Sequence, residues 1–193
     1  MIAISKYNAG NSTSVKNAVE RLGFSCSITN DHDILKNASK VIVPGVGAAN
    51  TAMSFLKETG LDQLIVALSQ PVLGICLGQQ LFCTYSEEGD TDCLGIFNTQ
   101  VKKFPPHKQV PHMGWNTITM QPSHPLFENV AELEDVYFVH SYYCELSNYT
   151  IASCEYICTF SAAMQKDNFY ATQFHPEKSA SVGAKILNNF LQL

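Results

Sequence analysis

A cysteine between two glycines has the surroundings in this chain that best suit covalent chemistry. Cys76 directly follows an apolar run that predicts a buried strand, and it precedes a segment that predicts a helix. Gly74 and Gly78 stand two residues to either side, where a tight strand-to-helix turn excludes larger side chains. A helix N-terminus favours thiolate over thiol, and the backbone N–H of Leu77 can stabilise an oxyanion. We therefore predict that Cys76 is a catalytic nucleophile; on the elbow alone, the alternative is a buried structural cysteine in a glycine-rich packing turn.

A histidine and a glutamate near the end of the chain could serve this nucleophile. His175 follows a predicted strand over residues 169–174, and Pro176 ends the strand ladder there. Residues two apart on an extended chain point the same way, so the Glu177 carboxylate can lie beside the His175 imidazole. The carboxylate would orient the imidazole, which would take the thiol proton and later return one to the leaving group. Functional sites in doubly wound sheets gather at the carboxyl ends of the strands, which would bring these distant residues together.

The segment Pro-Gly-Val-Gly at residues 44–47 ends another predicted strand. Its glycines allow the backbone to turn and to present N–H groups, as a second oxyanion donor would require. The same sequence also suits any tight turn between a strand and a helix, so alone it does not decide between these roles.

The elements that must position these residues alternate in the first half of the chain. Apolar patterns predict strands at residues 2–4, 24–28, 40–43 and 71–75, and helices at 14–22, around 52–56, at 61–68 and at 77–85. Strands that alternate with helices favour a parallel sheet with helices on both faces.

The second half has a different pattern. Residues 95–158 carry short β-like segments interrupted by prolines, and a last helix is predicted at 180–191. Since there is no repeat, low-complexity tract or linker, we predict a single domain over residues 1–193. Its fold class is α/β, with a doubly wound, mostly parallel central sheet, helices on both faces and an antiparallel β extension.

Composition argues against several classes of protein. Hydrophobic residues make up 46% and charged residues 15%, and the apolar runs are too short to cross a bilayer, so we expect a cytoplasmic protein. The formal charge of −5 and the single arginine argue against nucleic-acid binding. The seven cysteines include no Cys-x-x-Cys pair, so neither a zinc site nor a thioredoxin-type site is indicated. We predict no metal and no cofactor.

Five motifs in order across nearly the whole chain resemble one known family. They lie at residues 44–47 (Pro-Gly-Val-Gly), 74–80 (Gly-Ile-Cys-Leu-Gly-Gln-Gln), 111–116 (Pro-His-Met-Gly-Trp-Asn), 139–143 (Val-His-Ser-Tyr-Tyr) and 173–179 (Gln-Phe-His-Pro-Glu-Lys-Ser). Together they resemble the flavodoxin-like class I glutamine amidotransferases, which use a Cys-His-Glu triad. Within that class they resemble the glutaminase subunits of imidazole glycerol phosphate synthases. This closer resemblance is carried by Pro-His-Met-Gly-Trp-Asn and His-Ser-Tyr-Tyr, together with Pro-Gly-Val-Gly where other members often carry Gly-Gly-Pro.

The resemblance implies an activity that suits these residues. The Cys76 thiolate would attack the carboxamide of L-glutamine, and a thioester would then be hydrolysed to glutamate. Backbone N–H groups of Leu77, Val46 and Gly47 would hold the oxyanion. The family positions that hold glutamine match Gln80, Ser141 and Tyr142, of which Gln80 lies one helical turn after Cys76.

The resemblance also implies a partner, a separate (β/α)8-barrel cyclase that receives the ammonia in a heterodimer. Positions near the family's subunit interface match Asn11, Met113, Trp115 and Lys178. From sequence, Trp115 suits either an interface anchor or a core position. We expect the isolated subunit to be nearly silent, with the Val46–Gly47 turn holding its N–H groups wrongly until the loaded cyclase docks.

One departure keeps alternatives open. The family usually has Gly-Asn-Leu-Arg-Ser near the first turn, whereas residues 10–14 read Gly-Asn-Ser-Thr-Ser and lack the basic side chain. The first alternative is a paralogous glutaminase that feeds a sugar-modifying amidotransferase of surface-polysaccharide synthesis. The others are a catalytically idle regulatory subunit and a cysteine peptidase or stress-response hydrolase on a related fold.

Overall fold

The architecture is a large mixed sheet between two layers of helices. A computed structural model describes residues 1–8 and 11–193. The strands are β1 (Ile2–Ser5), β2 (Cys26–Thr29), β3 (Lys40–Gly45), β4 (Val72–Cys76), β5 (Tyr85–Ser86), β6 (Thr91–Asp92), β7 (Gln100–Lys103), β8 (His112–Met120), β9 (Asp135–His140), β10 (Tyr142–Cys144), β11 (Thr150–Glu155), β12 (Thr159–Lys166) and β13 (Phe169–Thr172). The helices are α1 (Ser12–Arg21), α2 (His32–Asn37), α3 (Ala49–Thr59), α4 (Leu61–Val66), α5 (Leu77–Leu81) and α6 (Ala180–Gln192). Two 3-10 turns cover Pro125–Phe127 and Pro176–Lys178.

The main sheet joins a parallel half to an antiparallel half. Its strand order is β2-β1-β3-β4-β13-β12-β11-β8-β9. Neighbours from β2 to β13 are parallel, and those from β13 to β9 are antiparallel. A smaller sheet, β10-β7-β5-β6, lies beside it. The predicted α/β class with an antiparallel extension is confirmed.

Both faces of the parallel half are covered, as the alternation of side chains along its strands requires. Ala3, Val41 and Val43 pack into a core with α2, α3, α4 and α5. Ile4 and Ile42 point the other way, into a core with α1 and α6. Among the described residues, none of the helices is long and apolar enough to cross a membrane.

The predicted helix over residues 77–85 is wrong in its second half. Helix α5 ends at Leu81, and Tyr85 belongs to strand β5. The backbone leaves the helix because Thr84 bonds to Thr99 instead: its N–H and its hydroxyl both donate to the Thr99 carbonyl, at 3.0 and 2.8 Å. Tertiary pairing here overrides the local helical pattern.

Smaller differences occur at other boundaries. Strand β2 begins at Cys26 rather than at residue 24, α4 ends at Val66 rather than at 68, and β13 ends at Thr172 rather than at 174. Helix α2 was not predicted, although Asp31 marks its start by accepting hydrogen bonds from the N–H groups of Asp33 and Ile34.

The predicted turn before α1 falls partly on Gly10, which lies outside the described residues. Helix α1 begins at Ser12, two residues earlier than predicted. Asn11 is its N-cap residue, but its side-chain oxygen accepts a hydrogen bond from the Ser14 hydroxyl at 2.8 Å rather than from a backbone N–H.

Candidate functional site

The backbone at Cys76 is strained in the way a nucleophile elbow requires. Cys76 ends β4 and precedes α5, with φ 55° and ψ −107°, a conformation that residues other than glycine rarely adopt. The elbow is possible only because glycines flank it. A Cβ on Gly78 would collide with the carbonyl oxygen of Val43, and one on Gly74 would come within 2.8 Å of the Gly78 backbone.

Parallel pairing brings the remote histidine and glutamate to this elbow. Strand β13 lies beside β4, with Thr172 opposite Ile75, so the chain after β13 emerges next to Cys76. The Nδ1 atom of His175 lies 2.8 Å from Oε1 of Glu177, and both side chains are almost fully buried. The His175 Nε2 atom is also buried and has no hydrogen-bond partner within the part of the chain that the structure describes.

The electrostatics at His175 favour the imidazolium. Burial lowers the pKa of His175, but the negative charge of the nearby Cys76 and the Glu177 carboxylate on Nδ1 together outweigh burial and raise this pKa to about 10. A protonated imidazole beside Cys76 is the partner that a thiolate requires.

A cavity of about 360 Å³ opens over Cys76 and collects most of the other predicted residues. Its lining includes Cys76, Leu77, Val46, Gly47, Gln80, Ser141 and Tyr142. His175 and Glu177 are not among the lining residues. Gly47 has φ 111°, which L side chains rarely adopt.

Gln80 is tied to the opposite wall of this cavity. Its Nε2 atom donates to the Tyr142 carbonyl at 2.9 Å and to Oε1 of Gln173 at 3.0 Å. Gln173 in turn points its Nε2 atom at the Cys76 sulfur, 3.6 Å away. Gln80 is 4% exposed, so it is not an ordinary glutamine on the surface of a helix.

Sequence reasoning missed four residues that line the cavity, namely Glu88, Pro111, Val139 and His140. Glu88 is the one acidic residue of this lining, and its Oε2 atom accepts the N–H of Ala49 at 2.8 Å. Burial raises the pKa of Glu88, and the Ala49 N–H opposes that rise. No spacing signal identifies Glu88. Gln173, by contrast, could have been found, because it stands two residues before His175 in the same motif.

The predicted interface residues lie outside the cavity, and three of them share a surface. Met113 and Trp115 are 60% and 54% exposed on one face of β8. The Trp115 ring meets Tyr137 edge-on at 6.1 Å, and the Lys178 ammonium lies 5.9 Å from the centre of the Tyr137 ring. We call Met113, Trp115, Tyr137 and Lys178 the aromatic face. The exposure of Trp115 excludes the core position that its sequence also allowed.

The fourth predicted interface residue, Asn11, is not part of the aromatic face. It lies at the start of α1, half buried, after the carboxyl end of β1.

Comparisons with a family model and with similar proteins point to one family. A model of the family described as glutamine amidotransferase class-I matches residues 5–193. The imidazole glycerol phosphate synthase subunit HisH of Bacteroides fragilis (strain YCH46) is 58% identical, with 100% of this chain and 99% of that protein covered. The subunit of the same name from Bacteroides thetaiotaomicron is also 58% identical over the same shares.

Solved structures with low sequence identity share the fold. A crystal structure of a glutamine amidotransferase has a TM-score of 0.77 at 18% identity, covering 100% of this chain and 98% of that one. A glutamine amidotransferase from Thermotoga maritima has a TM-score of 0.65 at 17% identity, with 99% and 80% covered. Each is a structure to which this chain is similar.

Proposed function

Because this chain belongs to the class I glutamine amidotransferase family, we propose that it is the glutaminase subunit of an imidazole glycerol phosphate synthase. It hydrolyses L-glutamine to glutamate and supplies ammonia for histidine biosynthesis. The observation that carries this function is the buried Cys76 elbow at the floor of a cavity, in a chain that matches such subunits over its full length. The whole chain, residues 1–193, acts as one glutaminase domain.

The first chemical step is attack of the Cys76 sulfur on the carboxamide carbon of glutamine. A carbon–sulfur bond forms, and the carbonyl electrons move onto oxygen. The resulting oxyanion is held by the N–H of Leu77 at the start of α5 and by the N–H groups of the Val46–Gly47 turn. The strained φ of Cys76 supports this geometry, because the elbow places Cys76 and Leu77 side by side in the lining of one cavity.

His175 acts as the general acid and then as the general base. The raised pKa of His175 supports an imidazolium that protonates the departing nitrogen, so that ammonia leaves and a thioester on Cys76 remains. The neutral imidazole then takes a proton from water, which attacks the thioester and releases glutamate. Glu177 keeps the Nδ1 proton of His175 in place throughout, so that Nε2 faces the reacting atoms.

Glutamine recognition uses the walls of the cavity. The cavity of about 360 Å³ is large enough for one amino acid. Ser141 and Tyr142 offer backbone groups to the polar ends of glutamine, and the Gln80 amide fixes the Tyr142 carbonyl. Glu88 supplies a carboxylate for the α-ammonium group, since it is the acidic residue of the lining.

The partner is a separate (β/α)8-barrel cyclase that receives ammonia directly. Ammonia is mostly protonated in neutral water and is then not nucleophilic, so a glutaminase of this kind needs a shielded route. The aromatic face supports docking next to the cavity, because Met113 pairs across the strands with Val139, a cavity residue. Asn11 and Lys178 lie at the periphery of this interface. The reaction takes place in the cytoplasm, where the seven free cysteines stay reduced.

The isolated subunit is nearly silent, since uncoupled hydrolysis would waste glutamine. Gly47 supports this idea, because its φ of 111° leaves the adjoining peptide free to change its N–H orientation when the cyclase docks. The test measures glutamate release by this chain alone and with the cyclase plus its bis-phosphorylated ribonucleotide ligand. Strong stimulation is expected; equal rates in both conditions would contradict activation by the partner.

A genetic test separates the histidine pathway from the sugar-modifying alternative. The chain should restore growth of a histidine auxotroph that lacks its own glutaminase subunit but retains the cyclase. The Cys76→Ala variant is the matched control and should not restore growth when ammonia is scarce. Failure of the intact chain, expressed as folded protein that binds the cyclase, would count against the histidine pathway.

A further inference from the structure

Two buried histidines take no part in the reaction described above. His112 on β8 and His140 at the end of β9 are 3% and 6% exposed. They pair directly across the two strands, and Nδ1 of His112 lies 3.1 Å from Nε2 of His140. Two basic side chains so deeply buried need fixed hydrogen-bond partners, since an unsatisfied ring nitrogen would be costly.

The position of the His140 proton follows from its other neighbour. Nδ1 of His140 lies 2.7 Å from the Tyr142 carbonyl oxygen, which can only accept. Nδ1 of His140 therefore carries a hydrogen. Because the ring is neutral, Nε2 of His140 is then an acceptor. Nδ1 of His112 therefore donates the hydrogen bond between the two rings.

The contacts of the other ring nitrogen of His112 lead to the same tautomer. Both Asn116 amide hydrogens have acceptors: the Glu155 carbonyl at 2.9 Å and Nε2 of His112 at 3.3 Å. The orientation of this amide is supported by its oxygen, which accepts the N–H of Thr117 at 2.9 Å. Nε2 of His112 is thus an acceptor, and Nδ1 carries the hydrogen.

Both rings are held neutral and in place. Burial lowers the pKa of His112 to about 4 and that of His140 to about 3. The His112 ring also stacks between Tyr156, at 4.0 Å, and Phe138, at 4.9 Å. Hydrogen bonds and stacking together leave each imidazole with one orientation.

These contacts end at the glutamine cavity. The Tyr142 carbonyl that accepts from His140 also accepts from Gln80, and Gln80 contacts Gln173, whose amide points at the Cys76 sulfur. His140 itself lines the cavity. At the other end, β8 carries His112 and Asn116 on its inner face and Met113 and Trp115 on its outer face.

We propose that His112 and His140 form a tautomer-locked positioning dyad that fixes the Tyr142 carbonyl and the Gln80 amide relative to strand β8. The dyad sets where glutamine binds and ties the cavity to the strand that carries the aromatic face. This role rests on the proposed glutaminase function. Neither histidine exchanges protons with the substrate.

Two variants of His112 separate positioning from packing. His112→Phe keeps the stacked ring but removes both hydrogen bonds, whereas His112→Asn keeps a donor near Nδ1 but removes the stacked ring. In the complex with the cyclase and its ligand, His112→Phe should raise the KM for glutamine about tenfold and change kcat less. His112→Asn should stay within about threefold of the unchanged chain. Tyr156→Phe, which keeps its ring, is the control and should alter neither constant.

The reverse pattern would overturn the proposal. If His112→Phe has an unchanged KM while His112→Asn is impaired, the dyad serves packing alone. If the unchanged chain releases no glutamate with or without the cyclase, the proposed function fails instead, and that result is distinct from an unaffected variant.

A spectroscopic measurement needs no variant and tests the dyad directly. With ¹⁵N-labelled histidine, nitrogen chemical shifts should identify both His112 and His140 as neutral Nδ1–H tautomers at pH 7. An Nε2–H tautomer or a charged ring at either position would refute the proposal. This readout holds whether or not glutamine is the substrate.

Discussion

The imidazole of His175 and the carboxylate of Glu177 are joined by a 2.8 Å contact, although strand β13 ends three residues before the histidine. Their side chains are 2% and 1% exposed. Because Nδ1 is engaged by Glu177, Nε2 is the ring atom left to meet the thiol. This orientation decides whether His175 can act as a base and an acid, and it makes Glu177 testable separately from Cys76.

Replacement of Glu177 by glutamine should impair catalysis far more than folding. The variant keeps the size of the side chain but loses one of the two negative charges that oppose the effect of burial on His175, so the pKa of His175 should fall. By analogy with other triads, kcat for glutamine should drop on the order of 10³- to 10⁴-fold. Steady-state glutamate release in the complex measures this effect, with circular dichroism as a check of folding. A kcat within tenfold of the unchanged chain would exclude the orienting role.

The close approach of α5 to β3 gives a prediction about the elbow. An added Cβ in Gly78→Ala would collide with the Val43 carbonyl, so the helix must shift and carry the Leu77 N–H with it. We expect a loss of about 1–3 kcal/mol in the free energy of unfolding, measured by urea titration, together with a lower kcat.

Gly23→Ala is the matched control for Gly78→Ala. Gly23 has φ 86°, yet nothing lies within 4 Å of an added Cβ. This variant should therefore lower the free energy of unfolding by about 1–2 kcal/mol, because of backbone strain, and leave kcat unchanged. Equal kcat values in the two variants would show that the elbow tolerates the collision.

The aromatic face predicts a binding defect without a folding defect. Because Trp115 is 54% exposed, Trp115→Ala should leave the melting temperature nearly unchanged. It should weaken binding of the cyclase by about 2 kcal/mol, roughly thirtyfold in Kd, measured by calorimetry. Val66→Ala removes another exposed apolar side chain, 46% exposed on α4, which packs against the parallel half of the sheet, and should not alter Kd. Similar Kd values for both variants would show that the aromatic face is not part of the interface.

The pH dependence of stability follows from the raised pKa of His175. The folded state holds this pKa at about 10, above its ordinary value of 6.5, so folding favours the protonated ring. The resulting stabilisation is fully present below pH 6.5 and is lost as the pH rises towards 10. The difference in melting temperature between the unchanged chain and His175→Gln should therefore shrink from pH 6 to pH 10. A difference that grows over this range would contradict the assignment.

The sequence was most informative where local patterns and topology agree. The apolar run before Cys76 and its flanking glycines predicted a strand-to-helix elbow, because few residue types fit that backbone. The rule that sites gather at the carboxyl ends of parallel strands predicted the approach of His175, and β4 and β13 are indeed neighbours. The resemblance to class I glutamine amidotransferases is confirmed by the family match.

Other features depend on contacts that no local pattern encodes. Helix α5 stops early because Thr84 pairs with Thr99, fifteen residues further along the chain. Glu88 reaches the cavity from a loop without periodicity. The pairing of His112 with His140 depends on the register of β8 and β9, which a sequence of short strands leaves open. The roles of the site residues stay predictions until variants are measured.

The most direct test of the account uses a glutamine analogue with an electrophilic carbon in place of the carboxamide. In the complex with the loaded cyclase, mass spectrometry should find one adduct, on Cys76, and excess L-glutamine should prevent its formation. The Cys76→Ala variant should remain unlabelled although six other cysteines are still present. Modification of another cysteine at an equal rate, or labelling that glutamine does not suppress, would contradict the claim that Cys76 attacks glutamine.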